Sequence, residues 1–199
     1  MAKTHYYTKT LLNTLYSFVN KNEEDIESGK FDYTEGIIYC ENCLIGTDRR
    51  LLLKADIPDV PKDMKNKVYD NDENYITDIK TKDIEILFSV SNQTRTNSFI
   101  LNVDKWDELY NKIKTKKRPK VYIEQDRISP TECVQLTDNL IVLTKDFNKF
   151  VKFCKKNNAK LIKYNDNSFA VKSNYMQLIG VNYIKYFEET EKENLNIYA

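Results

Sequence analysis

The 199-residue sequence predicts an α+β fold in which antiparallel sheets carry helices packed on one face. Three observations point there. A helix-like stretch followed by a run of short strands occurs three times along the chain. The strands within each run are separated by turns of a few residues, and strands joined so closely must run antiparallel. Glycine is scarce, at four residues, which argues against Gly-rich phosphate loops.

The first unit opens with a helix from about Tyr7 to Asn22, where Leu11, Leu12, Leu15, Phe18 and Val19 recur at helical spacing. The polar stretch around Gly29 ends it. Phe31 to Cys40 reads as a strand, Glu41-Asn42 as a two-residue turn, and Cys43 to Ile45 as the return. Leu51 to Ile57 is a third strand, closed by Pro58 and Pro61. Residues 59–82 are rich in Lys, Asp and Asn with little periodicity, and read as a long surface loop. Ile84 to Val90 is an apolar run expected to be a strand, and Ser98 to Leu101 a short one.

A second helix follows, capped by Asn102 or Asp104, with Val103, Trp106, Leu109, Tyr110 and Ile113 as its apolar stripe. It runs out in KTKKRPK, where Pro119 stops it and the helix dipole favours the cations. Val121 to Ile123, Cys133 to Leu136 and Leu140 to Leu143 read as strands, with a turn at Asp138-Asn139. The third helix runs from about Asp146 to Asn157. Lys160 to Tyr164 and Phe169 to Lys172 are strands around an Asn165-Asp166-Asn167 turn, and Met176 to Phe187 holds one or two more. These elements group as a domain over 1–143, a third helix-strand unit over 144–188 that is either a partial second domain or an extension of the first, and a polar tail over 189–199.

The third helix carries the clearest functional signal. Lys145, Lys149, Lys152 and Lys156 are spaced by four, three and four residues, which places them on one face. Phe147, Phe150, Val151 and Cys154 fall on another. A helix that packs with one side and shows lysine on the other fits a partner carrying phosphates. Lysine opposite an apolar stripe is also what an ordinary solvated helix shows. The formal charge of +1 excludes a global basic field, so a nucleic-acid surface must come from local segregation of charge.

Other chemistry finds little support. The one histidine, His5, leaves Ser-His-Asp and two-His mechanisms without parts. Asp59, Glu85, Glu124 and Asp126 could be imagined as a carboxylate metal site, but such residues in a Lys-rich chain are usually surface charges. Cys40-x-x-Cys43 is half of a zinc site, and zinc needs about four ligands. A redox pair of this spacing normally opens a helix, whereas this one flanks a turn between strands. The expectation is no enzyme, no cofactor and no metal. No stretch approaches the roughly 20 apolar residues that span a bilayer, so a cytoplasmic chain with no membrane partner is expected. The Asn, Lys, Ile and Tyr bias fits an AT-rich genome, as of a phage, a virus or an AT-rich microbe, with the host cell cytoplasm as the place for a phage or viral protein.

The helix-then-strands order resembles the DNA sliding-clamp family, whose domains use such a unit twice. The segment GIIYCENCLIGTDRRLLLKADIP is similar to the clamp pattern in which a hairpin strand leads into Thr-Asp-Gly-x-Arg-Leu. Thr47, Asp48, Arg50 and Leu51 approximate it. Arg49 stands where glycine is usual, and the spacing to Leu is one residue shorter. SFILNVDKWDELYNKIK with PKVYIE, and NSFAVKSNYMQLIGVNYI, are similar to further clamp segments. The third unit lacks an obvious partner half.

The resemblance implies clamp-like helix-plus-strands units in a non-catalytic accessory protein of phage or viral replication. It would bind double-stranded DNA without sequence preference, meet a DNA polymerase or other replication proteins, and close a ring as a homo-oligomer of three chains. Lys145, Lys149, Lys152 and Lys156 would line the duplex, with Lys9 and Lys112 from the other helices and Arg49 and Arg50 from a loop. A reading from another class stands beside it. Tyr6, Tyr7, Tyr16, Tyr110, Tyr183 and Tyr186 supply amphipathic area of the kind common at protein interfaces. The chain would then be a phage or viral protein–protein interaction protein, structural or host-interfering, that binds no DNA.

Overall fold

The computed structural model describes residues 6–20, 33–80, 82–85, 87, 94–95, 97–105, 108, 120–121 and 131–186. By its contacts the chain forms two units, Met1–Gln93 with Asn174–Leu178, and Thr94–Ser173 with Ile179–Ala199. The fold is α+β, and every strand pairing described below is antiparallel.

In the first unit, helix α1 (Lys9–Tyr16) is capped by Thr8, whose hydroxyl accepts from the Leu11 N–H. It stops earlier than the periodicity predicts. Phe18 and Val19 remain buried, but in a turn where their N–H groups donate to Leu15 and Tyr16. Strands β1 (Ile37–Tyr39), β2 (Cys43–Thr47) and β3 (Leu51–Asp56) form a meander, with the predicted Glu41-Asn42 turn between the first two. The strand expected from Phe31 is shorter, because Tyr33–Glu35 is a 3₁₀ turn.

The loop expected over 59–82 is instead largely a hairpin, β4 (Lys67–Tyr69) and β5 (Tyr75–Asp78), with β4 paired to β1. Its polarity misled because the turn is polar and the short strands carry Lys67, Thr77 and Asp78 as well. The Asp70 carboxylate accepts from the N–H groups of Asp72 and Asn74, and Asn66 and Glu73 adopt positive φ. Residues 82–85 are helical rather than the start of a strand at Ile84. Ile84 and Leu87 are both buried three positions apart, and a short apolar run alone does not separate the two states.

Helix α1 lies close over β2 at Gly46. A Cβ there would stand 2.1 Å from the Leu15 carbonyl oxygen. The unit also buries a carboxylate among aromatic rings. Glu73 accepts from the Tyr39 hydroxyl at 3.3 Å and the Tyr6 N–H at 3.0 Å. Burial and the Glu73 charge push the Tyr39 phenol up from its ordinary value.

The second unit holds β6 (Asn97–Ile100), β7 (Lys120–Val121), β8 (Thr131–Thr137), β9 (Leu140–Leu143), helix α2 (Thr144–Asn157), β10 (Leu161–Tyr164) and β11 (Ser168–Ser173). Strand β12 (Met176–Val181) gives its first residues to one unit and its last to the other. The order β7-β8-β9 makes one sheet, and β10 pairs with both β6 and β11. Asn102 caps the next turn as expected, its side chain accepting from the Lys105 N–H at 3.3 Å. Most of the second predicted helix lies outside the described residues. The expected boundary at 143 falls inside this unit, where β9 passes directly into α2.

A single buried amide ties this unit together. Asn182 is 2% exposed. Its Oδ1 accepts from the N–H groups of Ile141 and Ile184, its Nδ2 donates to the carbonyls of Asn139 and Asn165, and its own N–H donates to Asn167. Cys133, Ile141, Leu143, Tyr183 and Ile184 pack beside it.

The Gly46 contact is testable. Gly46→Ala forces α1 off the sheet and should cost roughly 1–3 kcal/mol, the usual range for overpacking. Urea unfolding would show this as a lower midpoint. An unchanged midpoint would mean that α1 does not sit as described.

Candidate nucleic-acid interface

Helix α2 starts without a side-chain cap, at Leu143, the last residue of β9. Its acidic first-turn residue, Asp146, is 3% exposed, at the end where the helix dipole favours negative charge. The C-terminus closes in a Schellman arrangement. Asn158 is left-handed at φ 50°, its N–H donates to Lys155, and the Ala159 N–H donates to Cys154.

The buried face is set by aromatic packing. Phe147 stacks with Phe150 at 6.1 Å, and Phe150 meets the Phe169 ring of β11 edge-on at 5.1 Å. Val151, Phe153 and Cys154 complete it. Burial pushes the Cys154 thiol up to about 12, so it stays neutral.

The opposite face is lysine. Lys145, Lys152 and Lys156 are exposed and Lys149 is half-buried. At about 1.5 Å of rise per residue, Lys145 and Lys156 are separated by roughly 16 Å along the axis. Lys155 is also exposed and flanks the row. Sequence spacing left it out because it falls off the i, i+4, i+7 pattern, although the last-turn Lys155-Lys156 pair signals it. The four predicted lysines therefore share one helix face, and Asp146, the helix's one acidic residue, is turned inward.

The remaining predicted residues are placed elsewhere. Arg49 and Arg50 sit together in the β2–β3 turn of the first unit. There the Asp48 carboxylate accepts from the N–H groups of Arg50 and Leu51, at 3.1 and 2.9 Å. The Arg50 guanidinium lies 3.6 Å from the same carboxylate. Arg49 is exposed, at φ 72°, with its guanidinium 5.9 Å from the centre of the Tyr33 ring. Lys9 is committed to the Asn71 carbonyl and the Asp72 carboxylate. Lys112 lies outside the described residues.

Of the tyrosines, Tyr6 is exposed, Tyr7 and Tyr16 are half-buried, and Tyr110 lies outside the described residues. Tyr183 is 4% exposed and belongs to the core, so it offers no interface area. Tyr186 ends a 3₁₀ turn.

The cysteine hairpin is closed and buried. Cys40 donates its N–H to the Cys43 carbonyl at 2.9 Å, and all four cysteines are free thiols. A separate side-chain hydrogen bond between the two thiols, with burial, pushes the Cys40 thiol up. Among the described residues no group of three or more His, Cys, Asp or Glu could hold a metal ion. His5, Glu124 and Asp126 lie outside them. No described helix is long and apolar enough to cross a membrane.

No protein-family model and no curated protein matches the chain. Solved structures do. The chain is similar to DNA polymerase III subunit beta from Borrelia burgdorferi, at 11% identity and TM-score 0.47, over 87% of this chain and 61% of that one. It is also similar to the beta subunit of DNA polymerase from Streptococcus pyogenes, at 12% identity and TM-score 0.46, over 96% and 67%. A third is the DNA polymerase III beta chain from Streptococcus pneumoniae, at 12% and 0.45, over 96% and 66%. The chain thus spans less than two thirds of the length of the first.

The positive φ of Arg49 gives a prediction for its turn. Arg49→Val should cost on the order of 1 kcal/mol, because a β-branched side chain fits the left-handed region worse than the unbranched arginine already there. Arg49→Gly should stay within about 0.5 kcal/mol of the parent, because relief of strain offsets the loss of chain entropy. Equal unfolding midpoints for the two variants would show that residue 49 does not adopt this conformation.

Proposed function

We propose that the chain is a non-catalytic, sliding-clamp-like accessory protein of phage or viral DNA replication. The lysine face of α2 rests on the phosphates of duplex DNA. The observation that carries this is the segregation of charge on α2, where four lysines are exposed, a fifth, Lys149, is half-buried, and the one acid is buried. The sequence resemblance to clamp segments supports it. Phosphate contact without base readout suits a protein that must slide, since sequence-specific bonds would trap it.

Arg49 is a secondary contact. Lys9 and Arg50 contribute less, because each already meets a carboxylate. Clamp rings are built from six similar domains, so a chain holding at most two closes a ring as three copies, head to tail. A DNA polymerase or another replication protein is then the partner on the ring, in the host cytoplasm.

Two measurements test this together. Light scattering should give three times the chain mass of 23.6 kDa. Duplex binding should fall roughly 100-fold between 50 and 200 mM salt if about four phosphates are neutralised, with no preference for sequence. Reversing Lys149, Lys152 and Lys156 to Glu should abolish binding and leave the circular dichroism unchanged, because these side chains face away from the core. A monomer indifferent to DNA at low salt would overturn the reading and favour the protein-interaction class.

A further inference from the structure

A second surface in the same unit has a different chemistry. Ile100 is 73% exposed and Leu161 is 50% exposed. The register of β6 and β10 sets them directly opposite each other. Their neighbours on β10, Ile162 and Tyr164, point the other way and are buried, so the side chains alternate as a half-buried strand requires. Two residues along from Leu161 on the same face, Lys163 stands opposite Ser98, and both are exposed. The β10–β11 register puts Ile162 opposite Val171, which sets the exposed Lys172 beside Leu161. Among the described residues no carboxylate pairs with Lys163 or Lys172. The next lysine along, Lys160, does have one, in Asp104 at 3.2 Å.

We propose that this face, Ile100 and Leu161 bordered by Lys163 and Lys172, docks an extended acidic segment of a partner protein that carries aliphatic side chains. The partner's aliphatic groups would cover the Ile–Leu pair, and its carboxylates would meet the two lysines. The composition selects this occupant. Phosphates would use the lysines but gain nothing from two aliphatic side chains whose burial releases water. A purely apolar partner would strand two ammonium groups at its rim. Natural sheets usually protect an outer strand with charge, and β6, which has a described neighbour on one side only, shows isoleucine instead. The inference does not depend on the nucleic-acid reading, because it uses no residue of α2.

The test uses the full chain and a fluorescein-labelled peptide, acetyl-Glu-Glu-Leu-Ile-Glu-Glu-amide, followed by anisotropy. A control peptide replaces Leu and Ile by Ser. The expected result is that the first binds at least tenfold more tightly than the control. Ile100→Ser with Leu161→Ser should remove that preference, and Lys163→Glu with Lys172→Glu should weaken binding at least tenfold. Reversal of Lys149, Lys152 and Lys156 should leave it unchanged, which separates this site from polyanion binding on α2. Should the aliphatic double variant fail to fold, the lysine double variant carries the test. Equal affinity for the two peptides would overturn the proposal. So would no binding at millimolar peptide, or self-association that the Ile100→Ser, Leu161→Ser variant abolishes.

Discussion

The second unit depends on one buried amide. Asn182 reaches both turns that flank α2 in sequence, Asn139 and Ile141 before it and Asn165 and Asn167 after it. A buried side chain that satisfies this many backbone groups cannot be replaced by an apolar one without leaving them orphaned, at about 1–3 kcal/mol each. The basic helix is therefore suspended between two hairpins that a single residue holds together. Its aromatic face then sets how it lies on the sheet. Phe147 and Phe150 are too large to be accommodated in another rotation of the helix, and the lysines are left outside by default.

The balanced total charge makes this arrangement matter. A chain of formal charge +1 attracts a polyanion only where its charges are sorted. On α2 the sorting is done by burial of Asp146. In the first unit Lys9 and Arg50 each sit beside an acid, and their fields are largely cancelled at a distance. The reach of a cation is thus set by what the fold puts next to it.

Much of the fold was legible where a pattern had one physical cause. The β8–β9 hairpin and α2 were readable because turn chemistry and a 3.6-residue period each agree with burial there. The β4–β5 hairpin was not, since its strands are short, partly exposed and rich in the polar residues that also make loops. Ile84 was misread because a short apolar run fits either state. The lysine row was visible from spacing alone. That Lys9 would be occupied by Asp72 was not, because the two are 63 positions apart and only the β4–β5 turn joins them. The Ile100–Leu161 pair was equally hidden, since each reads as an ordinary core residue until the register shows which side of the sheet it occupies.

The absence of any linker between β9 and α2 has a consequence for how the molecule can vary. Leu143 closes the strand and Thr144 opens the helix, so the phase of the helix is inherited from the phase of the strand. The β8–β9 ladder already contains one irregularity, between Gln135 and Thr137. A one-residue slip of β9 in this ladder would turn its side chains to the opposite side. The packed Phe147 and Phe150 oppose a matching turn of the helix, so the change would have to be absorbed at the β9–α2 junction. A one-residue insertion or deletion in this hairpin would thus be felt at the helix that carries the lysines, even though it alters none of them.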